Sequence, residues 1–98
     1  MQVTALEKDL VSWLKRDGPI PVLLTVGFLT HSLDTRFSVD FLPPNDYRLR
    51  VSNVHWYDAG WYICQLAIHP PSLIVAELQI GKEKNHHKKK TYYLGQSK

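Results

Sequence analysis

Apolar residues in this chain come in short runs set apart by turn-forming residues. Nowhere do they keep a 3.6-residue spacing over the roughly eleven positions that a helix needs. The runs therefore predict strands. Residues 10–16 form the first, ended by Asp17-Gly18-Pro19, where Gly and Pro each interrupt a ladder. Residues 22–26, β-branched at both ends, stop at Gly27. Residues 34–41 alternate, with Phe37, Val39 and Phe41 on one face, as a half-buried strand does. Past a turn at residues 42–46, Tyr47, Leu49 and Val51 point inward and Arg48 and Arg50 toward water. Residues 55–60 have the composition of one helical turn or a tight corner. Two longer strands follow, 61–68 and 73–80, parted by His69-Pro70-Pro71 and closed by Gly81. Strands about every ten residues with no helix between them predict an all-β antiparallel sandwich or barrel.

Composition narrows the picture. Ninety-eight residues, 44% hydrophobic and 21% charged, make one packed domain rather than a disordered chain. The net charge of +3 is unevenly spread. Residues 82–98 hold six Lys against one Glu, net +5, and residues 1–81 hold six Lys and Arg against eight Asp and Glu, net −2. The expected division is thus a body, 1–81, and a basic disordered tail, 82–98. The lone cysteine, Cys64, cannot close a disulfide within the chain or build a multi-cysteine zinc site. Charges at Glu7-Lys8-Asp9 precede any apolar run of signal-peptide length, and no run approaches the ~20 apolar residues of a membrane helix.

The sharpest local signal is Asp58-Ala59-Gly60-Trp61-Tyr62-Ile63-Cys64, a D-x-G-x-Y-x-C string. It resembles the strand-F region of immunoglobulin sandwiches, where a tyrosine two residues before the cysteine turns its hydroxyl back onto upstream backbone and the cysteine packs on a strand-C tryptophan. The resemblance gives Tyr62, Cys64 and Trp13 those roles, pairs Arg36 with Asp58 as in variable-type domains, and makes Leu49 an inward residue of strand E. Val11-Ser12-Trp13-Leu14-Lys15-Arg16-Asp17, Leu24-Thr25-Val26-Gly27, Arg36-Phe37 and Gly60-Trp61-Tyr62-Ile63-Cys64-Gln65 extend it. They resemble the first, V-type immunoglobulin domain of the neuronal surface proteins called defective proboscis extension response proteins, their interacting proteins and the lachesin-like proteins.

In the resembled domains a strand-B cysteine lies about a dozen residues before the tryptophan and bridges to strand F. Twelve residues before Trp13 is Met1. The resemblance thus implies an incomplete sandwich, with strand A and part of strand B missing, cut from an extracellular or plasma-membrane parent. A disulfide-free intracellular structural immunoglobulin domain is the alternative.

The resembled first domains bind another immunoglobulin-family surface protein, heterophilically and in some pairs homophilically, through the face of strands G, F, C and C′. With Trp13 and Cys64 inward, alternation places Ser12, Leu14 and Arg16, and Ile63, Gln65 and Ala67, on that face. Leu23, Thr25, Val75, Glu77 and Gln79 follow by the same parity, and His69 joins from a stiff loop. Isolated apolar residues on a surface are also ordinary. No catalytic, cofactor or metal site is expected: there is no phosphate loop or nucleophile elbow, and His31, His55 and His69 lack ligand-spaced partners. The lysine run can attract polyanions by counterion release, but specific nucleic-acid binding is not expected.

Overall fold

A computed structural model describes residues 11–43, 46–67, 72–80 and 90–95. Eight strands occur among them: β1 (Val11–Lys15), β2 (Val22–Val26), β3 (Leu29–Thr30), β4 (Phe37–Leu42), β5 (Asp46–Val51), β6 (Gly60–Leu66), β7 (Ser72–Leu78) and β8 (Tyr92–Leu94). All described pairings are antiparallel. One sheet has the order β3-β2-β1-β6-β7 and the other β4-β5-β8. The two inner faces supply one core: Val11, Trp13, Leu24, Tyr62, Cys64 and Leu78 from the first sheet, and Phe37, Tyr47, Leu49, Val51 and Leu94 from the second. The fold is the all-β two-sheet sandwich that the strand pattern predicts.

Each predicted strand has a counterpart, and the differences have local causes. Residues 34–36 leave the strand predicted over 34–41 because the Asp34 carboxylate captures its own backbone: Oδ1 accepts from the Arg36 N–H at 3.1 Å and from Arg36 Nε at 3.0 Å. The predicted corner is a single 3-10 turn, Trp56–Asp58. Strand β3 was not predicted. It is two residues long and follows β2 through Gly27, whose φ of 59° opens a two-residue hairpin turn that returns Leu29 against Val26.

The second unpredicted strand, β8, corrects the reading of 82–98 as a disordered tail. Tyr92, Tyr93 and Leu94 pair with Val51, Arg50 and Leu49, and Leu94 is 7% exposed. The lysines at 88–90 mask the pattern, but Tyr-Tyr-Leu is a short strand signal in its own right, and the edge of β5 accepts it. Residues 81–89 are outside the described residues.

Candidate partner-binding face

Trp13 on β1 stands opposite Cys64 on β6, and both are fully buried. The indole Nε1 donates to the Tyr47 carbonyl of the opposite sheet at 3.1 Å, tying the sheets through a buried hydrogen bond. With that pair inward, their neighbours must point outward. Leu14 lies opposite Leu23 and Ile63, and Ile63 opposite Val75, giving an apolar row of Leu23, Leu14, Ile63 and Val75 across four strands. The next row is Val26, Ser12, Gln65 and Leu73. Beyond the first row on the other side Trp61 faces Glu77, and its carbonyl accepts the Arg16 N–H at 2.9 Å.

The rows graduate from covered to open. Leu14, Leu23 and Ile63 are half-buried by their neighbours, whereas Val75 is 48%, Leu73 63% and Trp61 46% exposed. Arg16, Gln65 and Ala67 are exposed and Ser12 is half-buried. Charge is sparse on the face, and Gln79 Nε2 ties up the Glu77 carboxylate at 3.0 Å.

One predicted face residue does not belong there. Thr25 is fully buried opposite Trp13, and the cause is a bulge in the β1–β2 ladder: Trp13 pairs with Thr25 but Leu14 with Leu23, so Leu24 is an extra residue. Period-two parity does not survive an extra residue. Leu23 stays on the outer face, Leu24 and Thr25 turn inward, and Val26 takes the outer place next to Ser12. His69 lies outside the described residues. Trp61 and Leu73 were not singled out from sequence, although the parity that selected Ile63 and Gln65 also includes Trp61.

Below the face, one ion pair organises the corner between β5 and β6. Arg36 grips Asp58 through both guanidinium ends, Nη1 to Oδ2 at 2.6 Å and Nη2 to Oδ1 at 2.9 Å, and Nη1 also donates to the Asn53 carbonyl at 3.0 Å. Asp58 Oδ2 accepts the His55 N–H at 2.7 Å, and the buried Tyr62 hydroxyl donates to the Asp58 carbonyl at 2.6 Å. Burial works to raise the Asp58 carboxyl's pKa, but the Arg36 hydrogen bonds, the His55 N–H and the nearby positive charge outweigh it, so it lies below the ordinary value. The same guanidinium lowers Asp34. These bonds hold the corner, with the Arg36 guanidinium shared among Asp58, Asp34 and the Asn53 carbonyl.

Cys64 is likewise unsuited to chemistry. Burial, helped by the negative charge of Asp46, pushes its thiol up to about 12, so almost no thiolate exists near neutral pH. Among the described residues no three His, Cys, Asp or Glu side chains gather as a metal would require, and no helix is long and apolar enough to cross a membrane.

Two antiparallel sheets closed over Trp13 and Cys64, with a tyrosine corner from Tyr62 to Asp58, define an immunoglobulin-like domain. Over 72 residues the chain is 33% identical to lachesin of Drosophila melanogaster. The match takes in 72% of this chain and 20% of lachesin, so the chain spans about a fifth of that relative's length. No protein-family model matches the chain, and no solved structure does.

Proposed function

We propose that this chain is a cell-surface recognition module, a V-type adhesion domain that binds a second immunoglobulin-like surface protein through the outer face of the β2-β1-β6-β7 sheet. The observation that carries this reading is the apolar row Leu23, Leu14, Ile63 and Val75, aligned across four strands and flanked by exposed Trp61 and Leu73. A contiguous apolar patch with a polar margin is the usual form of an interface core and rim. Similarity to lachesin, an adhesion protein of the immunoglobulin superfamily, supports the same reading and an extracellular or membrane-attached setting for the parent protein. So does the resemblance to neuronal recognition proteins. Ser12, Leu14, Arg16, Leu23, Ile63, Gln65 and Ala67 are the contact residues of this proposal, joined by Trp61, Leu73 and Val75; His69 is carried by the resemblance alone.

A second reading, a structural domain in a reducing compartment, draws support from Cys64, which is free, fully buried and packed as a small apolar core side chain. Beads coated with the full chain, presented to an array of immunoglobulin-like cell-surface ectodomains including this chain itself, separate the two. Selective retention on one or a few array members supports adhesion. Uniform absence of retention by beads carrying folded protein rejects it in favour of the structural role.

A further inference from the structure

The edge of β5 that faces away from β4 is a line of backbone donors and acceptors above Leu49 and Val51, both fully buried. An uncovered edge of this kind is a template for an added strand. Here β8 covers it. Leu94, Tyr93 and Tyr92 run antiparallel to Leu49, Arg50 and Val51, and the Val54 N–H donates to the Lys90 carbonyl at 3.0 Å past the end of the ladder. Leu94 sits in the core at 7% exposed, Tyr92 packs against the core from the same face, and Tyr93 between them is 50% exposed. This is β-strand addition: main-chain bonds supply affinity and two alternate apolar side chains supply register. The flanking residues on the N-terminal side are a run of lysines that nothing in a core would select.

We propose that the outer edge of β5 is a peptide-binding site of the strand-acceptor type, recognising an extended segment with apolar residues two apart, and that its resident ligand is the chain's own segment 90–95. In this assignment the C-terminal segment is a built-in ligand rather than a polyanion-binding tail. The site lies on the three-stranded sheet, so it is independent of the proposed partner face on the other sheet.

Two experiments on the full chain test this. The first is cross-linking of Arg50→Cys/Tyr93→Cys in oxidised glutathione, with Arg48→Cys/Tyr93→Cys as the out-of-register control; Cys64 remains in place because its thiol is buried. Directly opposed positions lie within disulfide reach and diagonal ones do not, so the in-register pair should close within the monomer in about tenfold higher yield. Equal yields from the two variants, or no closure of either, overturn the proposal. The second uses Leu94→Asp, which removes the buried anchor and should lower the melting temperature. A synthetic peptide of residues 88–98 at roughly millimolar concentration, matching the effective concentration of a short tether, should restore it, and the same peptide carrying Leu94→Asp should not. A Leu94→Asp melt identical to the parent, or recovery with both peptides, overturns the proposal. If Leu94→Asp does not fold, the cross-linking comparison decides.

Discussion

At the scale of single residues, Arg36 determines how the corner responds to pH. Its guanidinium keeps Asp58 and Asp34 ionised to lower pH in the fold than in the unfolded chain. A carboxyl whose folded pKa is depressed contributes stability that is present above its unfolded value, about 3.9, and is lost as pH falls through the folded value. The melting temperature should therefore be flat from pH 7 to about 5 and drop most steeply below about 4, as thermal melts across that range will show. Asp58→Asn should flatten the acid limb. Asp58→Ala at neutral pH removes the buried partner of Arg36, leaving its guanidinium to Asp34 and the Asn53 carbonyl, and should cost about 3 kcal/mol, the low end for a broken buried pair, measured by urea unfolding. Tyr62→Phe is a milder break, about 1–3 kcal/mol, because the Asp58 carbonyl loses a buried donor while the ring still packs.

At the scale of elements, six strands were legible as short apolar runs between turn signals, those at 34–41 and 47–51 also by alternation of a wet and a dry face, and the D-x-G-x-Y-x-C string marked the corner because a tyrosine and an aspartate at that spacing meet. The β1–β2 bulge was not legible. Val22–Val26 is apolar at four of its five positions, so its pattern does not say where the extra residue falls. The consequence is testable. Thr25 Oγ1 is buried with no hydrogen-bond partner, so Thr25→Val should be neutral or stabilising by about 1 kcal/mol in thermal melts and leave binding unchanged. Leu23→Arg on the outer side of the bulge should leave the melt within about 0.5 kcal/mol of the parent and weaken binding. The reverse pattern contradicts the placement of the bulge. Strand β8 escaped for a different reason: its signal is three residues beside a lysine run, and its partner is more than forty residues upstream.

At the scale of the whole molecule, the sandwich separates its tasks by sheet. The three-stranded sheet closes the core, while the five-stranded sheet carries the apolar rows outward on strands fixed from beneath by Trp13 and Cys64. Outward placement was legible as far as parity holds, at Ser12, Leu14, Arg16, Ile63, Gln65 and Ala67, and not at Thr25, where burial decides; their contact with a partner belongs to the proposed function. Net charge describes neither half, since the acidic body and basic C-terminal segment offset each other. The proposed binding role rests on the apolar rows being aligned across four strands of one sheet. Ile63 stands at the centre of the first row and is the most direct probe of the claim. The decisive measurement is the affinity of Ile63→Arg for a partner recovered from the array, taken with its melting temperature in the same buffer and compared with Trp56→Ser at the distant 3-10 turn. A partner face centred on Ile63 requires that Ile63→Arg lose at least about 2 kcal/mol of binding while melting close to the parent, and that Trp56→Ser bind normally. Undiminished binding by a folded Ile63→Arg protein contradicts it.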